Sequence, residues 1–424
     1  MKSSPLVGAA LSLATALAVP ASAGEPLVLA GATVHTGDGR TLPGASVVLE
    51  DGRIRSVGGE SPPGAARVDL AGKHLYPGLI DADTVLGLVE IGSVKGSRDD
   101  AEVGEVNPNL RPELAVNPDS ELIPVARTGG VLLAHIHVRA GLVSGRTALI
   151  QLAGRTWEDM TVRAPVFLHV RWPTLRIDRS GRNPTKPAEQ VEARELRLRA
   201  LEDAFREARA YRAARAAGAE RDRDPKWESM LPVLSGRLPV AVHAERLAQI
   251  HAALDWAERE EVSIVLFGGA DAWRARERLA TARVPVVLGS VLSLPLRRHE
   301  PVDVAYRNAA LLHEAGVPFA FSTGPNAWAA SNARNLRDNA ALAVAYGLPK
   351  EAALTALTLG AARILGVDDR LGSIAPGKQA TLFATSAPLF APGSRVTHAW
   401  IAGQPVGLRD RQRRLYERYR DRSR

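Results

Sequence analysis

Leu75-Tyr76-Pro77-Gly78-Leu79-Ile80-Asp81-Ala82-Asp83-Thr84-Val85 is the stretch on which the reading of the fold turns. Leu75, Leu79 and Ile80 make it a buried strand that runs out at Asp81 into polar residues. Before it lie short strand patterns broken by glycine turns. After it, strand and helix patterns alternate, which predicts parallel strands joined by helical crossovers. The candidate strands are residues 131–136, 166–170, 239–243, 263–267, 284–288 and 317–321. Several are continuous apolar runs, as strands buried on both faces must be. Helix patterns over 245–258 and 270–282 supply crossovers. The expected class is α/β, with a (β/α)8 TIM-type barrel over residues 75–366.

Two flanking blocks need each other. In residues 24–74, the runs 27–30, 45–49 and 53–57 are separated by Gly37-Asp38-Gly39 and by Asp51-Gly52, the latter a strong hairpin signal. So short a block cannot bury a core alone. Residues 367–407 carry a second set of strand patterns, entered through Gly372-Ser373-Ile374-Ala375-Pro376-Gly377-Lys378, and both chain ends together are expected to form a small β-sandwich. Residues 184–228 interrupt the barrel rhythm with a charged helix over 189–215, whose stripe of Leu198, Leu201, Phe205 and Ala208 fits packing outside the barrel or a lid.

Of the 424 residues, 46% are hydrophobic and 24% charged, an ordinary globular balance. Residues 1–23 read as an export signal: Lys2, an apolar run over 6–19, then Ala21-Ser22-Ala23 before a mature start at Gly24. A periplasmic or extracellular protein is expected. The chain contains no cysteine, which excludes disulfides and thiolate chemistry. The formal charge of +8 is concentrated in the tail 408–424, where eight arginines face Asp410, Glu417 and Asp421. Such a tail is expected as a solvated helix, with Leu415, Tyr416 and Tyr419 against the body. It is a candidate for touching anionic surfaces but not for specific nucleic-acid binding. Oligomeric state has no signature in the chain.

The opening stretch resembles the amidohydrolase superfamily, whose first barrel strand ends Pro-Gly-(apolar)-Ile-Asp-Ala-His-X-His. The resemblance extends to Thr358-Leu359-Gly360-Ala361-Ala362-Arg363-Ile364-Leu365-Gly366, similar to the last barrel helix, and to the closing strands, where Thr381 replaces a usual Asp. Gly87-Leu88-Val89-Glu90-Ile91-Gly92, Thr156-Trp157-Glu158-Asp159-Met160 and Ser331-Asn332-Ala333-Arg334-Asn335-Leu336 resemble its exported imidazolonepropionase-like branch. That likeness implies one or two divalent metals at the barrel mouth, activating water for hydrolysis. Most of the ligand positions are altered here. Asp83 and Val85 stand at the strand-one histidines, Gly268 at the strand-six histidine and Gly324 at the strand-eight Asp, while His243 keeps the strand-five position.

A catalytic zinc needs about three protein ligands. His243 and Asp83 are the candidate ligands and catalytic residues; the resemblance implies one divalent ion, zinc foremost, if the altered positions are compensated, and none if they are not. His135 and His137, on one face of a strand, and His169 are candidates for such compensation. Thr84, Thr323, Asn326 and Arg334 are the candidate substrate-binding residues, at strand ends or in segments capping the mouth. Arg98, Ser144 and Glu158 are further polar candidates there. The resemblance implies a small-molecule hydrolase of a non-peptide carbon–nitrogen bond, cyclic amide type. A catalytically inactive envelope protein that keeps the pocket is the alternative.

Overall fold

The computed structural model describes residues 25–139, 141–218 and 222–420. The expected export signal and the last four residues of the basic tail lie outside them. The N-terminal block folds into strands β1 (Leu27–His35), β2 (Thr41–Glu50), β3 (Arg53–Val57), β4 (Ala66–Asp69) and β5 (His74–Pro77). The central region carries β6 (Leu79–Thr84), β7 (Val131–Ile136), β8 (Val143–Arg146), β9 (Ala148–Gln151) and β10 (Thr161–Arg163). It continues through β11 (Leu168–Arg171), β12 (Val240–Ala244), β13 (Ile264–Gly268), β14 (Val286–Leu288) and β15 (Phe319–Phe321). The chain ends with β16 (Leu382–Thr385), β17 (Val396–Ile401) and β18 (Gln404–Pro405).

The opening stretch is two strands, not the single one its apolar residues suggest. β5 belongs to an outer sheet and β6 to the inner one, and Gly78 is the switch between them. A Cβ at Gly78 would lie 2.9 Å from Thr381 Cγ2 and 3.0 Å from Leu132 Cβ, so only glycine lets the chain turn between the two layers. Both chain ends join one eight-stranded sheet, in the order β18-β17-β16-β5-β1-β2-β3 with β4 beside β1. Leu29, Val34, Leu49, Ile54, Leu75, Leu382 and Trp400 share its core, which neither end could build alone.

The inner strands form two sheets, β10-β9-β7-β6 and β15-β14-β13-β12-β11-β8. The pairs from β11 to β15 are all parallel, as is β6 with β7. The chain crosses between sheets at Thr147, which exchanges backbone bonds of 2.9 Å with Phe167 and Val166. The other seam joins β6 to the end of β15 through a side chain. Asp81 accepts from Thr323 N at 3.0 Å and from the Thr323 hydroxyl, and Gly324 N donates to Asp83 O at 3.2 Å. Burial, opposed by the Thr323 bonds, pushes the Asp81 carboxyl up to about 7.

Alternation of side chains sorts the inner strands into two cores. Ile80, Leu133, Phe167, Ala241, Phe267 and Val287 share one, and Leu79, Leu168, Val240, Val242 and Leu266 face the surrounding helices in the other. His169 and His243 follow Phe167 and Ala241 by two residues, so they continue the inner row towards the C-terminal strand ends.

The charged insert contains a helix, Pro187–Ala216, whose Leu201, Phe205 and Ala208 are buried in the core shared with the surrounding helices. Phe205 meets Trp256 edge-on with ring centroids 5.1 Å apart, Trp256 lying on helix Leu247–Glu260. The tail helix Arg411–Tyr419 is held by Arg414 on Glu121 at 2.6 and 2.8 Å. Tyr416 stays largely exposed, while Leu415 is partly covered.

Thr323→Val would strip both the hydroxyl and its share of the β6–β15 seam from a buried carboxyl. A loss of about 1.5–3 kcal/mol is expected, read as a lower urea midpoint with unchanged slope.

Candidate active site

The inner row ends in a column of polar side chains. His135 lies deepest, with Phe167 and Phe267 around its ring. Its Nδ1 donates to Ala82 O at 2.9 Å, and its Nε2 accepts from the Thr147 hydroxyl at 2.7 Å, which in turn accepts from Phe167 N. Both nitrogens are satisfied by the neutral imidazole. Burial, with His137 adding repulsion, lowers its pKa to about 4.

Above it, His137 Nε2 bonds Asp83 Oδ1 at 2.7 Å and its ring stacks on His169 with centroids 4.0 Å apart. Burial alone would raise Asp83, but the His137 bond and the nearby imidazoles outweigh it, so its pKa is lowered. Asp83 Oδ2 and both ring nitrogens of His169 are buried without a hydrogen-bond partner. Burial and the neighbouring His137 and His243 hold His169 well below the usual histidine range, so it is uncharged.

His243 is the outermost imidazole, its ring 6.2 Å from that of His169 and edge-on to it. Its Nε2 bonds Glu245 Oε1 at 3.1 Å, and Glu245 Oε2 accepts from Ala270 N at 3.1 Å. Burial lowers the His243 pKa, yet the hydrogen bond and charge of Glu245, with Asp83 behind, outweigh it and the net shift is upward. Glu245 occupies the space that a side chain at residue 268 would take. Gly268 has φ of +86°, and a Cβ built there would lie 2.5 Å from Glu245 Oε1.

Glu245 and Gly268 also line a cavity of about 280 Å³ at the C-terminal ends of β12, β13 and β14, walled by Trp273, Leu288, Val291 and Leu296. That is the small end of the range for ligand pockets and suits a single ring. Its outer wall is the connection 289–303, fixed where Arg297 forks onto both oxygens of Asp271 at 2.8 and 2.6 Å and onto Glu300.

Of the residues expected from the sequence, Asp83 and His243 do come together with His137 and His169. The four expected substrate contacts do not line the cavity. Thr84 is buried with its hydroxyl accepting from Leu86 N, Thr323 holds Asp81, Asn326 caps helix Ala327–Ser331 through Ala329 N, and Arg334 is exposed beside Gly129. Arg98 is tied to Asp100, Ser144 is buried without a partner and Glu158 is exposed. Glu245 was not singled out by sequence reasoning. Its signal was available: a carboxylate two residues past the strand-end histidine, opposite a glycine where a side chain was expected.

The profile of the amidohydrolase family matches residues 241–406. The imidazolonepropionase of Cereibacter sphaeroides is 30% identical over 379 residues, covering 83% of this chain and 90% of that protein. The chain belongs to the amidohydrolase superfamily, in its imidazolonepropionase-like branch. A solved amidohydrolase from Thermotoga maritima superposes with a TM-score of 0.78 at 28% identity, covering 90% of this chain and 99% of the other. The inner strands and their helices are thus those of a TIM-type barrel. Amidohydrolase tasK of Hapsidospora irregularis is 24% identical over 428 residues, covering 90% of this chain and 43% of that protein.

Amidohydrolases usually depend on a metal. In this chain the donors are engaged with one another: His137 with Asp83, His243 with Glu245, His135 with Ala82 and Thr147. Among the described residues, no group of three or more His, Cys, Asp or Glu side chains is arranged to hold a metal ion. Only Asp83 Oδ2 and the His169 nitrogens remain unengaged, which falls short of the donor set a catalytic zinc takes. The set does not fit the family's metal, and the chemistry below is derived from the side chains alone.

A buried histidine whose pKa is lowered to about 4 must stay neutral in the fold while the unfolded chain protonates near 6.5. His135 therefore stabilises the fold above pH 6.5 relative to acid, and that stability is lost as pH falls from 6.5 towards 4. The loss is on the order of 3 kcal/mol. Nitrogen NMR of histidine-labelled protein, assigned with His135→Gln, should show a neutral Nδ1–H ring at pH 5; titration near 6.5 would contradict this.

Proposed function

We propose that the protein hydrolyses a non-peptide carbon–nitrogen bond of cyclic-amide type in a small molecule. Membership of the superfamily supports the bond class, and the imidazolonepropionase relative supports a cyclic amide. The observation that carries the reading is Glu245, which lines a ring-sized cavity at the strand ends and is held from behind by His243. There the Glu245 carboxylate accepts a proton from water as the water oxygen attacks the ring carbonyl carbon. Collapse of the tetrahedral intermediate breaks the carbon–nitrogen bond, and the same proton passes to the leaving nitrogen, so Glu245 ends as it began. His243 holds the carboxylate in place, and the Asp83 charge behind it favours the imidazolium that makes that contact strongest.

The same reading takes the two inner sheets as a closed eight-unit barrel and the eight-stranded outer sheet as a small sandwich wrapped on its own core. It places the mature protein, from Gly24, in the periplasm or outside the cell, with the arginine-rich tail able to meet anionic surfaces. One observation favours a second reading, a binding protein without turnover: Asp83 and His137 are closed on each other, and Thr84, Thr323 and Asn326, expected at the mouth, bond backbone or side-chain groups elsewhere.

Incubation of the purified protein with a panel of lactams, hydantoins, imidazolones and dihydropyrimidines separates the two. Ring opening of at least one member is expected, with His243→Ala lowering kcat/KM by about 10²–10⁴-fold in protein that circular dichroism shows still folded. Binding without ring opening across the panel would leave the second reading; activity untouched by His243→Ala would remove the pair from the chemistry.

A further inference from the structure

The charge pattern of the cavity selects among cyclic amides. Among the described residues lining it there is no lysine or arginine. Two of its lining groups are carboxylates, but they differ. Glu300 is 3% exposed and held by Arg274 at 3.1 Å and by Arg297, so its charge is answered from behind. Glu245 is 44% exposed and has only the imidazole of His243 and one backbone N–H as partners, leaving lone pairs towards the cavity. A second acceptor stands on the same wall. Asn308 is buried, its amide nitrogen donates to Gly269 O at 3.0 Å, and its Oδ1 has no partner. The donated bond fixes which end of the amide is oxygen. The remaining wall is mostly apolar, from Leu288, Val291, Leu296 and the Trp273 ring, with the hydroxyls of Ser290, which donates to Asn339, and of Ser293 as its other polar groups.

We propose that this cavity takes a ring substrate that presents N–H donors to Glu245 and Asn308 and bears no negative charge, and that it rejects carboxylate-bearing rings. An unpartnered acceptor in a buried wall is costly until a donor meets it, so a ring N–H gains more here than in water. A carboxylate brought beside Glu245 meets like charge, because the one nearby imidazole, His243, is already engaged by Glu245 and no lysine or arginine lines the wall. The proposal rests on the hydrolase reading for the word substrate, but the selection is a property of binding and is measured without turnover.

Calorimetry on the full-length protein with three hydantoins of matched size tests it: one carrying an aminoalkyl arm at ring carbon five, one carrying a carboxyalkyl arm, and the aminoalkyl compound methylated on both ring nitrogens. The aminoalkyl compound should bind at least about tenfold more tightly than the carboxyalkyl one, and double methylation should cost a similar factor. Glu245→Gln should shrink the charge discrimination to within about threefold while the N–H requirement survives, and Asn308→Leu should weaken the N–H requirement and leave the charge discrimination. Equal or tighter binding of the carboxyalkyl compound, or no binding of any of the three, would overturn the proposal. Discrimination that persists unchanged in Glu245→Gln would also overturn it. Ring opening is followed on the same samples and across the wider cyclic-amide panel: discrimination without hydrolysis of any member would remove the hydrolase reading and leave the selection standing.

Discussion

The site depends on one steric exchange: the carboxylate of Glu245 lies where residue 268 has no side chain. Neither half stands without the other. A Cβ at Gly268 would meet Oε1 at 2.5 Å and Cδ at 2.7 Å, and the φ of +86° there is already one that only glycine adopts without strain. Conversely, the carboxylate that fills the gap is held by the Ala270 N–H just past β13 and by His243 at the end of β12, so it clamps two neighbouring strands together at their C-terminal ends. From that clamp follow the upward shift of His243, the acidic wall of the cavity and the engagement of a nitrogen that a metal would otherwise use.

Behind the clamp, the barrel interior carries an unusual run of imidazoles. His135, His137, His169 and His243 succeed one another along the inner face, with Asp83 among them as counter-charge. Four rings so close cannot all be charged in a buried place. Burial and mutual repulsion hold His135 and His169 neutral, while carboxylates favour charge on His243. The column therefore holds neutral rings at His135 and His169, the Asp83 carboxylate on His137 between its ends, and a charge-favouring rim at His243. The charge favoured on His243 lies at the outer end, beside Glu245, and the inner end is packed as core against Phe167 and Phe267.

Much of the fold was legible because burial leaves a linear trace. Apolar runs near 131–136, 239–243 and 263–267 became β7, β12 and β13 within a residue or so, and the Asp51-Gly52 turn joined β2 to β3. The switch at Gly78 was not legible as a break, since residues on either side are equally apolar; the close approach of Thr381 and Leu132 that demands it comes from other parts of the chain. At the site, Asp83 and His243 could be picked out because strand ends fix where such side chains emerge. Thr323 could not be told from a substrate contact, since a hydroxyl at a strand end serves equally to hold Asp81 across the seam. Glu245 was hidden for a different reason. Its meaning depends on a missing side chain 23 residues later, and an absence in one strand gains sense only when the neighbouring strand is beside it.

The most direct measurement is a crystal structure of the protein grown with added zinc, with anomalous data collected at the zinc edge. Glu245 is expected within hydrogen-bonding distance of His243 and over Gly268, with no anomalous peak among Asp83, His169 and His243. A full-occupancy peak among those three, with the Glu245 carboxylate turned out of the Gly268 space, would contradict the exchange on which the site is built.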